Sequence, residues 1–328
     1  MKLAKLKERF RPSQQPATTA SFVAPSFVVE IQPDFVAGAR LDNSSRHVRR
    51  MGVAPLEPGS LTPHPGRPNM GNAAAVRHAV RRVRESVGDG EGRAGLLVSD
   101  GAVRVAVLSF ETVPDKRPEL DSLVRWRMKE NLPFSPEEAR LSYQVSPTRS
   151  GGSAGFEALV LAARGSVLSE YESALEGADG RLVLPATAAL LPLLPQESTV
   201  GQLLVNVCSG WITSVVVWGN RVSFWRTREM VETEPREQSQ VVATEVARVC
   251  ASARDHLQVD IPRVWLCVRP PATDDLASEV GRAVGQEVRL LTPPAEAGAS
   301  RVLGTRCAAR FSLSYCNAVR QHILSIWV

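Results

Sequence analysis

The run LLVNVCSGWITSVVVWGNRVSFWRTREM, residues 203 to 230, narrows the choice of fold more than any other part of the chain. Three strand-length segments rich in β-branched and aromatic residues are separated by Ser209-Gly210 and Gly219-Asn220, residue pairs that suit the tight turns of hairpins. They predict an antiparallel meander. Beyond it, Val242, Val246, Val249 and Ala253 fall on one stripe of a helix from about Gln238 to Leu257, RVWLCV (263–268) has the composition of a buried strand, a further helix starts at Asp274, and EVRLL (287–291) closes the series as a strand.

The first third of the chain begins in the same order. FVVEI (27–31) and FVAGARL (35–41) form a hairpin around QPD. Residues 52–71, GVAPLEPGSLTPHPGRPNMG, are too rich in Pro and Gly for regular structure and are assigned to a loop. Asn72 then caps a helix whose Val76, Val80, Val83 and Val87 recur at helical spacing, with Arg77, Arg81, Arg82 and Arg84 on an exposed face. AGLLVSD (94–100) and VRVAVLSF (103–110) are expected to pair as strands around Gly101. Two similar α/β halves result, inferred from element order and not from residue identity.

Between them lies a different unit. Leu120, Leu123, Val124, Met128 and Leu132 make one helical stripe that Pro133 ends, RLSYQV (140–145) alternates as a half-buried strand, FEALVLAA (156–163) is a second strand, and VLSEYESALEGA (167–178) a second helix. The expected organisation is a basic tail and linker over 1–26, a first α/β unit over 27–113, a small inserted α+β unit over 114–185, a second α/β unit over 186–310, and a segment of unassigned structure over 311–328.

Composition closes off other classes. The five cysteines, Cys208, Cys250, Cys267, Cys307 and Cys316, show no CxxC spacing, so neither a disulfide framework nor a zinc site is indicated, and the five histidines include no pair at metal-ligand spacing. The apolar runs fall far short of the roughly 20 residues that cross a bilayer, and MKLAKLKERFRP lacks the apolar region of a secretory signal, so a reducing cytoplasmic location is expected. Residues 1–93 carry 15 Lys and Arg against 8 Asp and Glu, whereas 94–328 carry 24 against 26. The basic excess is therefore N-terminal, where Leu3, Leu6 and Phe10 among lysines and arginines fit either a solvated tail or a short amphipathic turn on an anionic membrane surface. Nucleic acid is not the expected partner, because no interleaved aromatics and no zinc-finger, homeodomain or RNA-binding signature accompany the arginine-rich helix. No GxSxG, HExxH, P-loop or dinucleotide fingerprint occurs.

Residues 124–145, VRWRMKENLPFSPEEARLSYQV, resemble the PilM family, the actin-like proteins of type IV pilus assembly, at Arg125, Trp126, Leu132, Pro133, Phe134, Glu137, Glu138, Tyr143, Gln144 and Val145. The resemblance spans about 27–292 and is strongest from 120 to 230. It implies an α/β fold of the actin-like (ribonuclease H-like) kind, two lobes with a small inserted α+β subdomain. It also implies a nucleotide site, and each element of that site departs from the family pattern. At the first phosphate turn, Glu30-Ile31-Gln32-Pro33-Asp34-Phe35, Glu30 stands for Asp, Gln32 for Gly, Pro33 removes a backbone donor, and Phe35 stands where a small residue belongs. At the second, Asn206 brings no charge and Cys208 replaces a glycine, while Gly210 and Thr213 fit the pattern. The adenosine element reads Cys267-Val268-Arg269-Pro270-Pro271, without glycine. Glu30 is left facing either a metal or solvent, and Arg269 or Arg289 would be phosphate partners if a nucleotide still bound.

The expectation is a non-catalytic scaffold without cofactor or metal, peripheral to the inner membrane. By resemblance it binds the short cytoplasmic tail of a PilN-like bitopic inner-membrane protein and links it to the pilus motor or platform, through Trp126, Leu132, Pro133, Phe134 and Tyr143 as candidate contacts. Trp126 and Phe134 could equally be core residues that pin the helix to the strand. The alternatives are an ATP-binding actin-like protein, the cytoplasmic domain of a GspL-like type II secretion platform protein, and an FtsA-like division scaffold.

Overall fold

A computed structural model describes residues 25, 27–41, 48–88, 93–148, 155–177, 179–195, 199–231, 234–269 and 276–291. The expected basic tail up to residue 24, the helix start at Asp274 and the segment 311–328 lie outside them. Strand β1 (Phe27–Ile31) is buried along its whole length, which requires cover on both faces of its sheet. Its odd residues Phe27, Val29 and Ile31 pack on α1 (Ala73–Val87) through Val76, Val80, Val83 and Val87, and on α3 (Gly165–Ser173) through Val167, Leu168 and Tyr171. Val28, on the opposite face, joins Leu97, Leu182 and Leu184 against Ala188 and Ala189. The helix begins as its sequence dictates: the Asn72 side-chain oxygen accepts from the Ala75 N–H at 3.1 Å.

The first sheet runs β3 (Val48–Pro55), β2 (Phe35–Leu41), β1, β4 (Arg93–Val98), β8 (Asp179–Pro185). The second runs β11 (Arg221–Glu229), β10 (Trp211–Trp218), β9 (Gln202–Cys208), β12 (Arg263–Arg269), β13 (Glu287–Leu290). In both, a three-stranded antiparallel meander is extended by two parallel strands beyond its first member. The two turns of the second meander take the left-handed backbone their residues favour, with φ of 50° and 77° at Ser209-Gly210 and 59° and 61° at Gly219-Asn220. On the outer face of this sheet, Leu203, Val205 and Val207 pack on α4 (Pro235–Ser252) and α5 (Leu276–Val284). Its inner face packs through Leu204, Val215 and Cys267 on Leu190 and Leu194. The 3₁₀ segment Ala186–Leu193 thus supplies apolar side chains to both inner faces and lies between the sheets.

Three sequence expectations need correction. Residues 52–55 are not loop: they complete β3, the third strand of the first meander, so the two halves match more closely than element order alone had indicated. Strands 94–100 and 103–110 do not pair. A 3₁₀ turn at Asp100–Ala102 redirects the chain, so that β4 lies between β1 and β8 while β5 (Arg104–Phe110) joins a separate sheet of order β5, β7 (Phe156–Arg164), β6 (Ala139–Pro147). The inserted unit therefore starts near residue 104 and not at 114. It ends near 164 and not at 185, because α3 and β8 pack into the first lobe. Local patterning could not show this: one apolar run serves either sheet equally well.

Inside the insertion, α2 (Arg117–Met128) lays Val124 and Met128 on Leu108, Phe110, Ala158, Val160 and Ala162, with Leu120, Leu123 and Leu132 partly buried alongside. Met128 is fully buried here, so Met128→Ala is expected to lower stability by about 2–5 kcal/mol in urea denaturation.

Candidate functional site

The turn after β1 and the turn after β9 meet face to face. Ser209 donates its hydroxyl to Asp34 Oδ1, joining the tips of the two hairpins. Behind that contact Arg269, at the end of β12, donates to Glu30 Oε1, which also accepts from Gln32 Nε2 at 2.9 Å. Glu30, Gln32 and Arg269 are each buried. Glu30 thus does not face solvent; the guanidinium of the opposite lobe reaches one oxygen of its carboxyl group. Burial by itself pulls the Arg269 guanidinium down, and Cys208, Glu30 and Cys267 around it more than reverse that, leaving it above its ordinary value.

A second polar cluster lies deeper, on a residue the sequence reading had passed over. Asp100, in the turn that redirects β4, is buried and accepts from the segment that joins the lobes and from the second lobe. Oδ1 accepts the Thr187 N–H at 3.0 Å, and Oδ2 accepts from the Thr187 hydroxyl, from Asn206 Nδ2 at 3.2 Å and from Thr213 Oγ1 at 3.0 Å. Asn206 also donates to Thr187 Oγ1 at 2.7 Å. Beside the cluster, a Cβ on Gly101 would lie 2.3 Å from Cε2 of Trp211, so the two lobes touch where glycine alone leaves room. From the sequence, Ser99 and Asp100 read only as the end of the strand 94–100, before a turn at Gly101. A signal existed nonetheless, in the polar residues Asn206 and Thr213 at positions of the β9–β10 pair that are otherwise apolar.

Of the sequence-predicted nucleotide residues, Glu30, Gln32, Asp34, Asn206, Thr213 and Arg269 enter these contacts, while Pro33 shapes the first turn, whose Gln32 N–H donates to Phe35 O at 2.9 Å. Gly210 provides the second turn, its carbonyl accepting from Met230 N–H at 2.7 Å. Cys208 is buried against them, and burial pushes its thiol up to about 12, with Arg269 pulling the other way. Arg289 is elsewhere: on the outermost strand β13 it pairs with Glu287 at 2.7 Å and lies over the Trp265 ring.

The second predicted group divides. Leu132 and Tyr143 pack on the small subdomain's core, and the Tyr143 hydroxyl donates to Asp121. Pro133 and Phe134 close on the long loop of the first lobe: a Cβ on Gly66 would stand 3.3 Å from Pro133 Cγ and 3.4 Å from Phe134 Cδ1. Arg164 fastens the same joint, donating to Gly66 O at 2.8 Å while pairing with Glu138 at 2.9 Å. Trp126 is not a core residue; at 66% exposure its indole stands in solvent. The arginines of α1, expected on an exposed face, are partly engaged: Arg77 and Arg81 pair with Glu176, and Arg84 donates to Leu175 O at 2.7 Å.

No protein-family model and no curated protein matches the chain in sequence. Solved structures do match. A chain of the PilM–PilN type IV pilus biogenesis complex superposes with a TM-score of 0.73 over 91% of this chain and 98% of its own length, at 16% identity. The fold is actin-like. Weaker likenesses are to the cytoplasmic domain of EpsL, an inner-membrane component of the type II secretion system of Vibrio cholerae (TM-score 0.49, 11% identity, 90% and 94% of the two chains), and to a Bacteroides thetaiotaomicron protein with an actin-like ATPase fold (0.48, 9%, 80% and 89%). Within that PilM-like architecture the two facing turns belong to opposite lobes. Among the described residues no helix is long and apolar enough to cross a membrane, and no group of three or more His, Cys, Asp or Glu is placed to hold a metal ion.

Two outcomes follow. Arg269→Ala strands the Glu30 carboxylate and is expected to destabilise by about 3–5 kcal/mol in urea denaturation, whereas the joint Glu30→Gln and Arg269→Met change recovers most of that loss. The Cys208 thiol should stay inert to Ellman's reagent in the folded protein; its raised value adds stability that is constant below the ordinary thiol value of 9.0 and falls as pH rises from there towards about 12.

Proposed function

We propose that this protein is a non-catalytic docking scaffold of a type IV pilus-like assembly at the inner face of the inner membrane. In this reading it holds the short cytoplasmic tail of a PilN-like bitopic membrane protein and couples it to the motor or platform. The observation that carries the non-catalytic half is the Glu30–Arg269 pair. Both its members come from elements that, by the PilM resemblance, would approach a nucleotide, and here Arg269 donates to Glu30 Oε1 across the lobes. Glycine turns cradle phosphate with backbone N–H groups; Gln32, Pro33 and Cys208 put side chains and a missing donor in those places. The contacts between Ser209 and Asp34 and around Asp100 hold the lobes together with groups of the chain itself.

The docking half is supported by the likeness to a chain solved in a PilM–PilN complex and by the small subdomain. The subdomain is clamped to the first lobe through Gly66, Pro133, Phe134 and Arg164, yet leaves Trp126 in water on the adjoining helix. A large aromatic on a rigid element is the residue type that most often anchors an interface, and an extended tail needs only a few such anchors beside its backbone hydrogen bonds.

The test is capture from solubilised membranes. Recovery of a bitopic protein with a short cytoplasmic tail is expected, and recovery of soluble proteins alone would refute the docking role. Trp126→Ala should weaken that capture about tenfold or more while shifting stability by no more than about 0.5 kcal/mol, as an exposed position allows. Titration with ATP and magnesium should show no saturable binding below the millimolar range; tight retention or steady hydrolysis would overturn the non-catalytic assignment.

A further inference from the structure

The edge strand β11 of the second sheet carries, with α4, a charge arrangement that neither the fold nor the docking role requires. Glu245, on α4, is 1% exposed and directed at the face of β11 that packs on the helix. Three guanidinium groups surround it: Arg226 Nε at 3.5 Å from Oε1, Arg228 Nε at 3.3 Å from Oε2, and Arg248 Nη1 at 3.7 Å from Oε2. Their side chains are 40%, 33% and 53% exposed, so each reaches from solvent to the buried carboxylate. One arginine would neutralise Glu245. Three leave two positive charges in excess on one small patch, at a Coulombic cost. Val241, Val242, Ala243, Thr244, Val246, Ala247 and Val249 flank Glu245 on the helix, so no second carboxylate lies within a helical turn of it, and Phe224 precedes Arg226 on the helix-side face of the strand.

The geometry also leaves donors unspent. None of the three contacts is as short as the roughly 2.7–2.9 Å of a charge-assisted hydrogen bond, and neither Glu245 Oε2 nor Arg228 Nε has a hydrogen-bond partner among the described residues. Arg226 and Arg228 come closest to Glu245 through Nε, so the terminal edge of each guanidinium, with its two Nη groups, is not the part that meets the carboxylate. An oxyanion seated between Arg226, Arg228 and Arg248 would take those donors in the forked geometry that arginine offers to phosphate. A phosphate monoester carries about −1.5 to −2 at neutral pH, close to the local excess.

We propose that Arg226, Arg228 and Arg248, organised by the buried Glu245, form a binding site for a phosphate dianion at the edge of the second lobe, separate from the facing turns and from the Trp126 region. Glu245 acts here as a positioning residue, drawing three mutually repelling cations into one cluster. The ligand is a phosphate group, free or carried on a lipid headgroup.

Calorimetric titration of the full chain with inorganic phosphate, and sedimentation with vesicles containing phosphatidic acid beside neutral vesicles, test the site and distinguish its sources. Saturable phosphate binding, weakened at least about tenfold by the pair Arg226→Gln and Arg248→Gln and unchanged by Arg67→Gln with Arg82→Gln, which removes the same charge at remote exposed positions, is the expected result. Co-sedimentation that follows the same variants assigns the lipid source, and binding of inorganic phosphate without it assigns a soluble one. Glu245→Gln supplies an independent readout: with the organising carboxylate neutralised, the three guanidinium groups are no longer drawn together, and phosphate should bind more weakly and raise the melting temperature of that variant less than that of the parent. Absence of binding to either probe, or binding that survives the Arg226→Gln and Arg248→Gln pair, would overturn the proposal.

Discussion

Everything else in this structure depends on polar groups buried between two lobes that could otherwise separate. Asp100 comes from the first lobe, Asn206 and Thr213 from the second, and Thr187 from the segment that joins them; the four side chains form one hydrogen-bonded cluster. A buried carboxyl group deprived of water is costly unless its oxygens are fully met, and here they are met only when the lobes are in register. The Glu30–Arg269 pair adds a second polar contact across the lobes, made to one carboxylate oxygen. Such contacts contribute less to net stability than to a single relative placement, since an apolar pair would fill the space without specifying direction.

That placement gives the small subdomain a fixed platform. Its strands form their own sheet and core, and its attachment is narrow, made by the Pro133–Phe134 elbow on the Gly66 loop and by Arg164 bridging Gly66 O and Glu138. The elbow that looked in the sequence like a local helix stop is a joint between two parts of the protein. Trp126 rides on the helix that the joint orients. A scaffold in which shape is held by internal pairs presents such a residue in one position without needing a cofactor to close it, which is the physical content of the function proposed above.

Much of this was readable in advance. The β9–β11 meander, the α1 stripe capped by Asn72, and the α2 stripe through Val124 and Met128 all appear where periodicity put them, because each is decided by the spacing of side chains within a few residues. The missed strand at Val48–Pro55 has a local reason too: its half-exposed pattern and Gly52 hid β character behind the proline-rich loop that follows. The site was legible as a set of departures from a pattern, yet not as an arrangement. Glu30 had no visible partner until Arg269, 239 residues away, was placed against it.

What the sequence by itself determined is the type and order of the elements, the repeat of one α/β plan in both halves, and the presence of an inserted unit, since all of these follow from local spacing and turn chemistry. Only the tertiary structure decided which sheet β5 joins, where the insertion begins and ends, that Asp100 is a hydrogen-bonding hub, and that Trp126 stands in water while Phe134 closes a joint. The reason is that a strand's apolar face is satisfied by any complementary sheet, and a charge by any opposite charge; which one it meets is set by contacts between residues far apart in the chain, and no short window of sequence contains them.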